Sequence, residues 1–269
     1  MKIYFKILFI VIIAFGASFS ANVKKIEVGI DEQLGKTIPL DVHFTDADGK
    51  DVVLGDLFKD TKAVVLSFVY YKCPGICSPL MFELADVANK SDLELGYDYH
   101  IVTISMDERE TPEIAAEKRK GFLEGFDKDL PENAWAFLVG DSANIRKVSD
   151  AAGYYFERDG TQFKHSGAFI FVKSDGEICR YLIPGYTNRS GFSILPFDFK
   201  MAVLEASEGK VTPTIAQVLQ FCFSYDPSGK TYTMNVTRIS GAVIVLFAIG
   251  FFLFVKFGSK KKLKTKGNV

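Results

Sequence analysis

Three short runs of mostly β-branched and aromatic residues, 63–69, 99–105 and 134–139, alternate with stretches that carry helix start and stop signals, and this alternation constrains the fold most. Apolar runs of that length suit strands buried on both faces, and strands in parallel need helical crossovers. The crossovers are legible. One helix is expected from about Pro79 to Lys90, a second is opened by Thr111-Pro112-Glu113 with proline at its first position, and a third is capped by Asp141-Ser142 and runs to about Ala152. Two hairpins flank the alternating part. Asp41–Thr45 and Asp51–Leu54 turn at Asp48-Gly49, while Ala168–Val172 and Ile178–Ile183 turn through Ser174-Asp175-Gly176-Glu177. Asn22–Gly35 reads as an extended lead-in, and Pro196–Ser207 as a last helix. The sum is one α/β domain over 22–210, a mixed sheet with helices on both faces and no internal repeat.

The two ends are of another kind. Residues 1–21 carry Lys2 and Lys6, an apolar stretch from Ile7 to Phe15 and the small-residue run Ala17–Ala21, the pattern of a signal peptide or, if uncut, an anchor. Ile239–Val255 runs seventeen residues without a charge inside an expected transmembrane helix at 239–257. Lys256, Lys260, Lys261, Lys262, Lys264 and Lys266 follow without an acid, which places the tail 258–269 in the cytoplasm and the body on the outer side. Residues 211–238 form a juxtamembrane link, with a turn signal at Asp226-Pro227-Ser228-Gly229 between aromatic flanks. The leader lacks the arginines of a mitochondrial presequence, so the expected location is a bacterial inner membrane with the body in the periplasm.

Charge narrows the partners. The whole chain is near neutral at −1, but its ends hold eight of the 32 basic residues and no acid, leaving 24 against 33, or about −9, on the body. Such a surface argues against nucleic acid and suits a cationic metal or a basic redox protein. Four cysteines in an exported body of this size do not make a disulfide scaffold.

Two of them concentrate the chemistry. Tyr70-Tyr71-Lys72-Cys73-Pro74-Gly75-Ile76-Cys77-Ser78-Pro79 lies between the first buried strand and the first helix, where free N–H groups and the helix dipole favour a thiolate. A Cys-x-x-x-Cys loop can be a structural disulfide, a dithiol redox pair or half of a metal site. A third ligand helps to choose. His165, in Gln162-Phe163-Lys164-His165-Ser166-Gly167, precedes the strand at 168–172, and in a thioredoxin-like fold that loop faces the cysteines. Two thiolates and an imidazole suit copper, as Cu(I) or Cu(II); zinc accepts the same donors but usually takes a fourth.

Four ordered segments now resemble the Sco/SenC family, thioredoxin-like copper-binding proteins that assist assembly of the CuA centre of cytochrome c oxidase. They are the cysteine loop, Ile104-Ser105-Met106-Asp107-Glu108-Arg109-Glu110-Thr111-Pro112, Trp135-Ala136-Phe137-Leu138-Val139-Gly140, and Lys164-His165-Ser166. The resemblance implies that Cys73, Cys77 and His165 bind copper, received from an upstream donor and passed to the oxidase subunit that carries CuA. The chain departs from the family pattern at Ser78, where many members have proline, and at Lys164, where an acidic residue often precedes the histidine. The second departure removes a partner that would orient the imidazole. The alternative reading is an exported thiol-disulfide oxidoreductase, re-reduced by an exported thiol reductant, in which Cys73 and Cys77 are catalytic. A peroxidase reading lacks the Thr-x-x-Cys context.

Other residues carry weaker expectations. His43 and His100 lie in strands and are read as non-ligands. Asp107 ends a strand where functional loops gather, yet a turn or cap role fits it equally. Met81, four residues after Cys77, and Cys179, in a strand, are expected in the core. Cys222, among aromatic neighbours, is expected to pack at the membrane interface, with a second redox or metal role as the alternative.

Overall fold

The computed structural model describes residues 28–124, 126, 130–187, 191–213, 223–226, 231–234, 244 and 247–254. In chain order it contains β1 (Gly29–Ile30), β2 (His43–Asp46), β3 (Asp51–Val53), a 3-10 turn (Leu54–Phe58), β4 (Ala63–Val69), α1 (Cys77–Lys90), β5 (Tyr99–Ser105), α2 (Pro112–Leu123), β6 (Trp135–Val139) and α3 (Ser142–Ala151). Then follow β7 (Tyr154–Tyr155), β8 (Glu157–Asp159), β9 (Gln162–Lys164), β10 (Phe169–Lys173), β11 (Ile178–Leu182), β12 (Gly185–Thr187), β13 (Gly191–Ser193), α4 (Pro196–Ser207), β14 (Phe223–Asp226) and β15 (Thr231–Met234).

The central sheet has seven strands in the order β11-β10-β4-β5-β6-β2-β3. β4, β5 and β6 run parallel, as their helical crossovers require, and the two flanking hairpins add antiparallel strands at either edge. All residues of β4 and β5 are buried, which is why both read as mostly apolar runs without alternation, the exceptions being Ser67, His100, Thr103 and Ser105. One face is covered by α1, α2 and α4: Phe82 of α1 meets Phe122 of α2, Phe122 stacks on Trp135 and Phe137, and Phe199 of α4 stands against Tyr99 and Phe171. Phe82 stays half exposed, whereas each buried ring of this set contributes on the order of 2–3 kcal/mol. On the other face Tyr154, just after α3, stacks on Phe68 at 4.9 Å, and β1 pairs with β7. Three polar groups buried at the centre of the sheet satisfy one another, with Thr103 Oγ1 meeting Ser67 Oγ at 3.0 Å and accepting the Trp135 indole N–H at 2.9 Å.

One helix departs from expectation. α1 begins at Cys77 rather than near Pro79. Proline needs no N–H partner in the first turn, where none exists, so Pro79 sits inside the helix and the second cysteine becomes helical. The pairs β8–β9, β12–β13 and β1–β7, all outside the central sheet, have no counterpart in the sequence reading.

The leader 1–21, Cys222 and the tail 258–269 lie outside the described residues. So does most of the link 211–238, although β14 and β15 pair antiparallel across the Asp226-Pro227 turn signal. Of the expected span 239–257, residues 244 and 247–254 are described as helical and exposed, and among the described residues no helix is long and apolar enough to cross a membrane.

Candidate metal centre

The cysteine loop leaves β4 at its C-terminal end, beside the end of β5. Tyr71 pins its start: the ring is buried, and the hydroxyl donates to the carbonyls of Thr103 at 3.2 Å and Leu138 at 3.0 Å. Glu110, itself buried, holds the next peptides. Its carboxylate accepts the N–H groups of Tyr71 and Lys72, both at 2.7 Å, and the Ser105 hydroxyl at 2.6 Å. Cys73 follows half-buried, its N–H donating to the Tyr70 carbonyl at 3.1 Å, and Pro74-Gly75-Ile76 return the chain to α1.

His165 arrives from the other side, directly after the hairpin of β8 and β9 and ahead of β10. Its Nε2 lies 3.6 Å from Cys77 Sγ, and one donor atom from each of Cys73, Cys77 and His165 falls within 4.8 Å of the other two. Nδ1 stands 3.0 Å from the Ser166 carbonyl oxygen, which can only accept, so a proton on Nδ1 satisfies this contact, and in that tautomer of the neutral ring the Nε2 lone pair faces the sulfurs. The Tyr154 hydroxyl, 3.3 Å from Nδ1, donates to the same carbonyl and packs the imidazole in place. A metal bound to thiolates and imidazole at about 2.0–2.3 Å sets its donors roughly 4 Å apart, so the group closes on an ion with a shift of under about 1 Å. Among the described residues no other three His, Cys, Asp or Glu side chains converge in this way.

The thiols are free and differ from one another. Cys73 is drawn down from the usual thiol range to about 4, first by the hydrogen bond from Cys77, then, against the opposing effect of burial, by the N–H groups of Cys77 and Gly75 and the Tyr70 hydroxyl. Cys77 moves the other way, because its proton is shared with the Cys73 sulfur and because it is buried. The pair therefore holds one proton, on Cys77. The helix N-terminus acts across the loop: the N–H of Cys77 serves the Cys73 sulfur rather than its own. Cys73 and His165 line a surface cavity of about 440 Å³ together with Val28, Tyr70, Ile76, Phe163 and Lys164, while Cys77 lies buried behind them.

The remaining residues of interest fall elsewhere. His43 is exposed and pairs with Asp51 at 3.1 Å; His100 is buried with Nδ1 against the Leu57 carbonyl at 3.0 Å. Met81 is core, as is Cys179, whose thiol burial pushes up to about 11. Lys164 turns away to Asp159 at 3.0 Å, and the orienting role of an acid before the histidine falls instead to Ser166 and Tyr154. Asp107 is both a turn residue and an ion-pair centre. It accepts the Arg109 N–H at 3.0 Å and the guanidinium groups of Arg109 at 2.9 Å and Arg158 at 2.8 Å. Burial works to raise its pKa, but these donors together hold it below the ordinary carboxylate range. Glu110, Tyr154 and Arg158 carry no role in the sequence reading, although Glu110 lies within one of its quoted segments.

A family model described as SCO1/SenC matches residues 31–193. A comparison with curated proteins returns no match. Among solved structures, the chain is similar to a protein of Aquifex aeolicus VF5 provisionally described as an electron transfer protein, at 23% identity over 66% of this chain and 96% of that one, with a TM-score of 0.56. It is similar to a SCO1/SenC family lipoprotein from Bacillus anthracis str. Ames at 22% identity over 66% and 99%, with a TM-score of 0.51. A copper-bound structure of Bradyrhizobium japonicum ScoI matches at 23% identity over 64% and 99%, with a TM-score of 0.45. The first two likenesses establish the fold, a thioredoxin-like mixed α/β domain.

Proposed function

Since the chain belongs to the SCO1/SenC family, we propose that it is a membrane-anchored copper chaperone whose Cys73, Cys77 and His165 carry one copper ion to the CuA site of cytochrome c oxidase during its assembly. One observation carries the reading: the sulfurs of two free cysteines and a ring nitrogen of a histidine converge within 4.8 Å, with Cys73 and His165 lining a surface cavity. The donor set fits its cargo. Thiolates favour Cu(I), and the imidazole adds a donor that retains Cu(II). A half-buried Cys73 keeps one ligand within reach of an upstream donor or of the oxidase subunit, so copper can move by exchanging one ligand at a time.

Anchoring supports the same task. The seventeen uncharged residues 239–255, the six lysines beyond them and a helix at 247–254 that exposes Phe247, Phe251 and Phe254 all suit lipid. In this reading residues 1–21 direct export, 239–257 span the inner membrane, 258–269 lie in the cytoplasm and the body 22–210 faces the periplasm. Confinement to the client's own membrane raises the effective concentration of each for the other.

The asymmetry of the thiols favours a second activity at the same site. The Cys73 thiolate attacks a client disulfide, forming a mixed disulfide and releasing one client thiolate. Cys77 then loses its proton and attacks Cys73, closing the intramolecular disulfide and releasing the second client thiolate. Two electrons pass to the client, and an exported dithiol reductant restores the pair.

Anaerobic copper titration of the reduced full-length chain in detergent, followed by absorption and EPR, tests the first reading. One copper per chain is expected, with affinity lost in Cys77→Ser and the Cu(II) spectrum altered in His165→Ala. Wild-type affinity in both variants would overturn the ligand assignment. The second reading predicts that Cys77→Ser accumulates a mixed disulfide with a client, and that His165→Ala still exchanges.

A further inference from the structure

His165 follows directly on β9, whose hairpin with β8 pairs only with itself among the described residues, and the chain rejoins the central sheet four residues later at Phe169. The backbone ladder of β10 holds the C-terminal side of His165, and what holds its N-terminal side is a matter of side chains. Phe163, two residues before His165, sits 5.1 Å from Tyr70 and 5.7 Å from Phe156. Across the hairpin from Phe163 is Arg158, whose guanidinium lies 4.4 Å over the Phe163 ring. The same guanidinium reaches back to the turn between β5 and α2, donating to Asp107 at 2.8 Å and Glu108 at 2.6 Å. Arg109 grips Asp107 through both carboxylate oxygens, at 2.9 and 3.0 Å, so that the acceptor is itself immobilised.

The other end of that turn is Glu110, which holds the Tyr71 and Lys72 N–H groups immediately ahead of Cys73. A turn of six residues thus touches both ligand-bearing segments. We propose that residues 105–110 form a bracket that sets the separation of the cysteine loop from the histidine hairpin, with Glu110 as one arm and Asp107–Arg158 as the other. Arg158 and Asp107 are positioning residues for His165; neither touches the metal. Planar, charge-assisted donors suit the task, because their geometry is directional where apolar contact is not.

The inference rests on the reading of His165 as a copper ligand, and the experiment separates the two. Arg158→Gln and Asp107→Asn are made in the full-length chain, each alone and each with His165→Ala. Cu(II) affinity is measured by competition, the Cu(II) site by EPR and folding by thermal unfolding. With His165 present, each variant is expected to lower Cu(II) affinity about tenfold, the usual scale for a group that orients a ligand. Its EPR spectrum should move toward that of His165→Ala. With His165 absent, the same changes should cost less than about twofold, because nothing remains to be positioned. Arg158→Lys keeps the charge without the fork and should fall between. An equal loss in both backgrounds, or no loss with His165 present, overturns the bracket and leaves the hairpin to its aromatic contacts. If His165→Ala itself leaves affinity and spectrum at wild type, the ligand reading fails and the bracket falls with it.

Discussion

Glu110→Gln isolates the other arm of the bracket at nearly constant shape. In the wild type one carboxylate oxygen accepts from Tyr71 N–H at 2.7 Å and from Ser105 Oγ at 2.6 Å, and the second accepts from Lys72 N–H at 2.7 Å. Glutamine can keep the first two bonds with its carbonyl oxygen. Its NH2 must then face the Lys72 N–H, donor against donor. One charge-assisted bond is lost, at about 1.5–3 kcal/mol, and the buried donors left facing each other add to it, so the total is about 2–4 kcal/mol. For a domain of this size each kcal/mol moves Tm by about 2–4 °C, which puts the expected drop at about 5–15 °C. The assay is thermal unfolding of the full-length chain, followed at the aromatic side chains packed around the sheet. Because Lys72 adjoins Cys73, labelling of Cys73 by a thiol reagent in the folded state should also change. A Tm within about 2 °C of wild type would refute the reasoning, since it would mean that water or a shifted backbone satisfies these N–H groups without the carboxylate.

Two further outcomes follow from the geometry. Because Cys73 is already ionised at neutral pH and Cys77 holds the pair's remaining proton, copper loading of the two thiols should release about one proton from them rather than two. The depressed Cys73 value of about 4 keeps that stoichiometry constant as pH rises from 6 to 8; calorimetry in buffers of different ionisation enthalpy reads it, and a value near two would refute the shared proton. Gly153→Ala would set a Cβ 1.9 Å from the Asp31 carbonyl oxygen at a φ of +60°, and Asp31 N–H donates to the Gly153 carbonyl at 2.8 Å. Beyond about 1–2 kcal/mol of backbone strain, the clash must part β1 from β7, so hydrogen exchange at the Asp31 amide should accelerate. Unchanged protection would show that the clash is absorbed elsewhere.

How legible all this is in the sequence depends on which interaction decides each feature. β4 and β5 coincide with their expected runs because both faces are buried, so apolar, β-branched and aromatic content reports them despite Ser67, His100, Thr103 and Ser105. Cys73, Cys77 and His165 are visible as residue types whose chemistry is rare, and a fold-level expectation is enough to suggest that they meet. The hairpin that delivers His165 is harder to see. Residues 157–164 are largely polar, and only Phe163 is buried, so no alternating apolar face betrays two strands despite the Asp159-Gly160 turn. Glu110, Asp107 and Arg158 are harder still, because a buried carboxylate and an exposed one look alike until their donors are known. Tyr154 belongs with them: nothing in Tyr154-Tyr155 shows which ring will face an imidazole. The division between the thiols shows the same limit. A helix dipole read from sequence favours both cysteines equally, and it is the path of three loop residues, Pro74-Gly75-Ile76, that turns the Cys77 N–H toward the Cys73 sulfur and leaves the proton on Cys77. Sequence thus identifies the donors, while the order in which they give up protons, and the separation at which a metal would find them, arise from contacts made only in the folded chain.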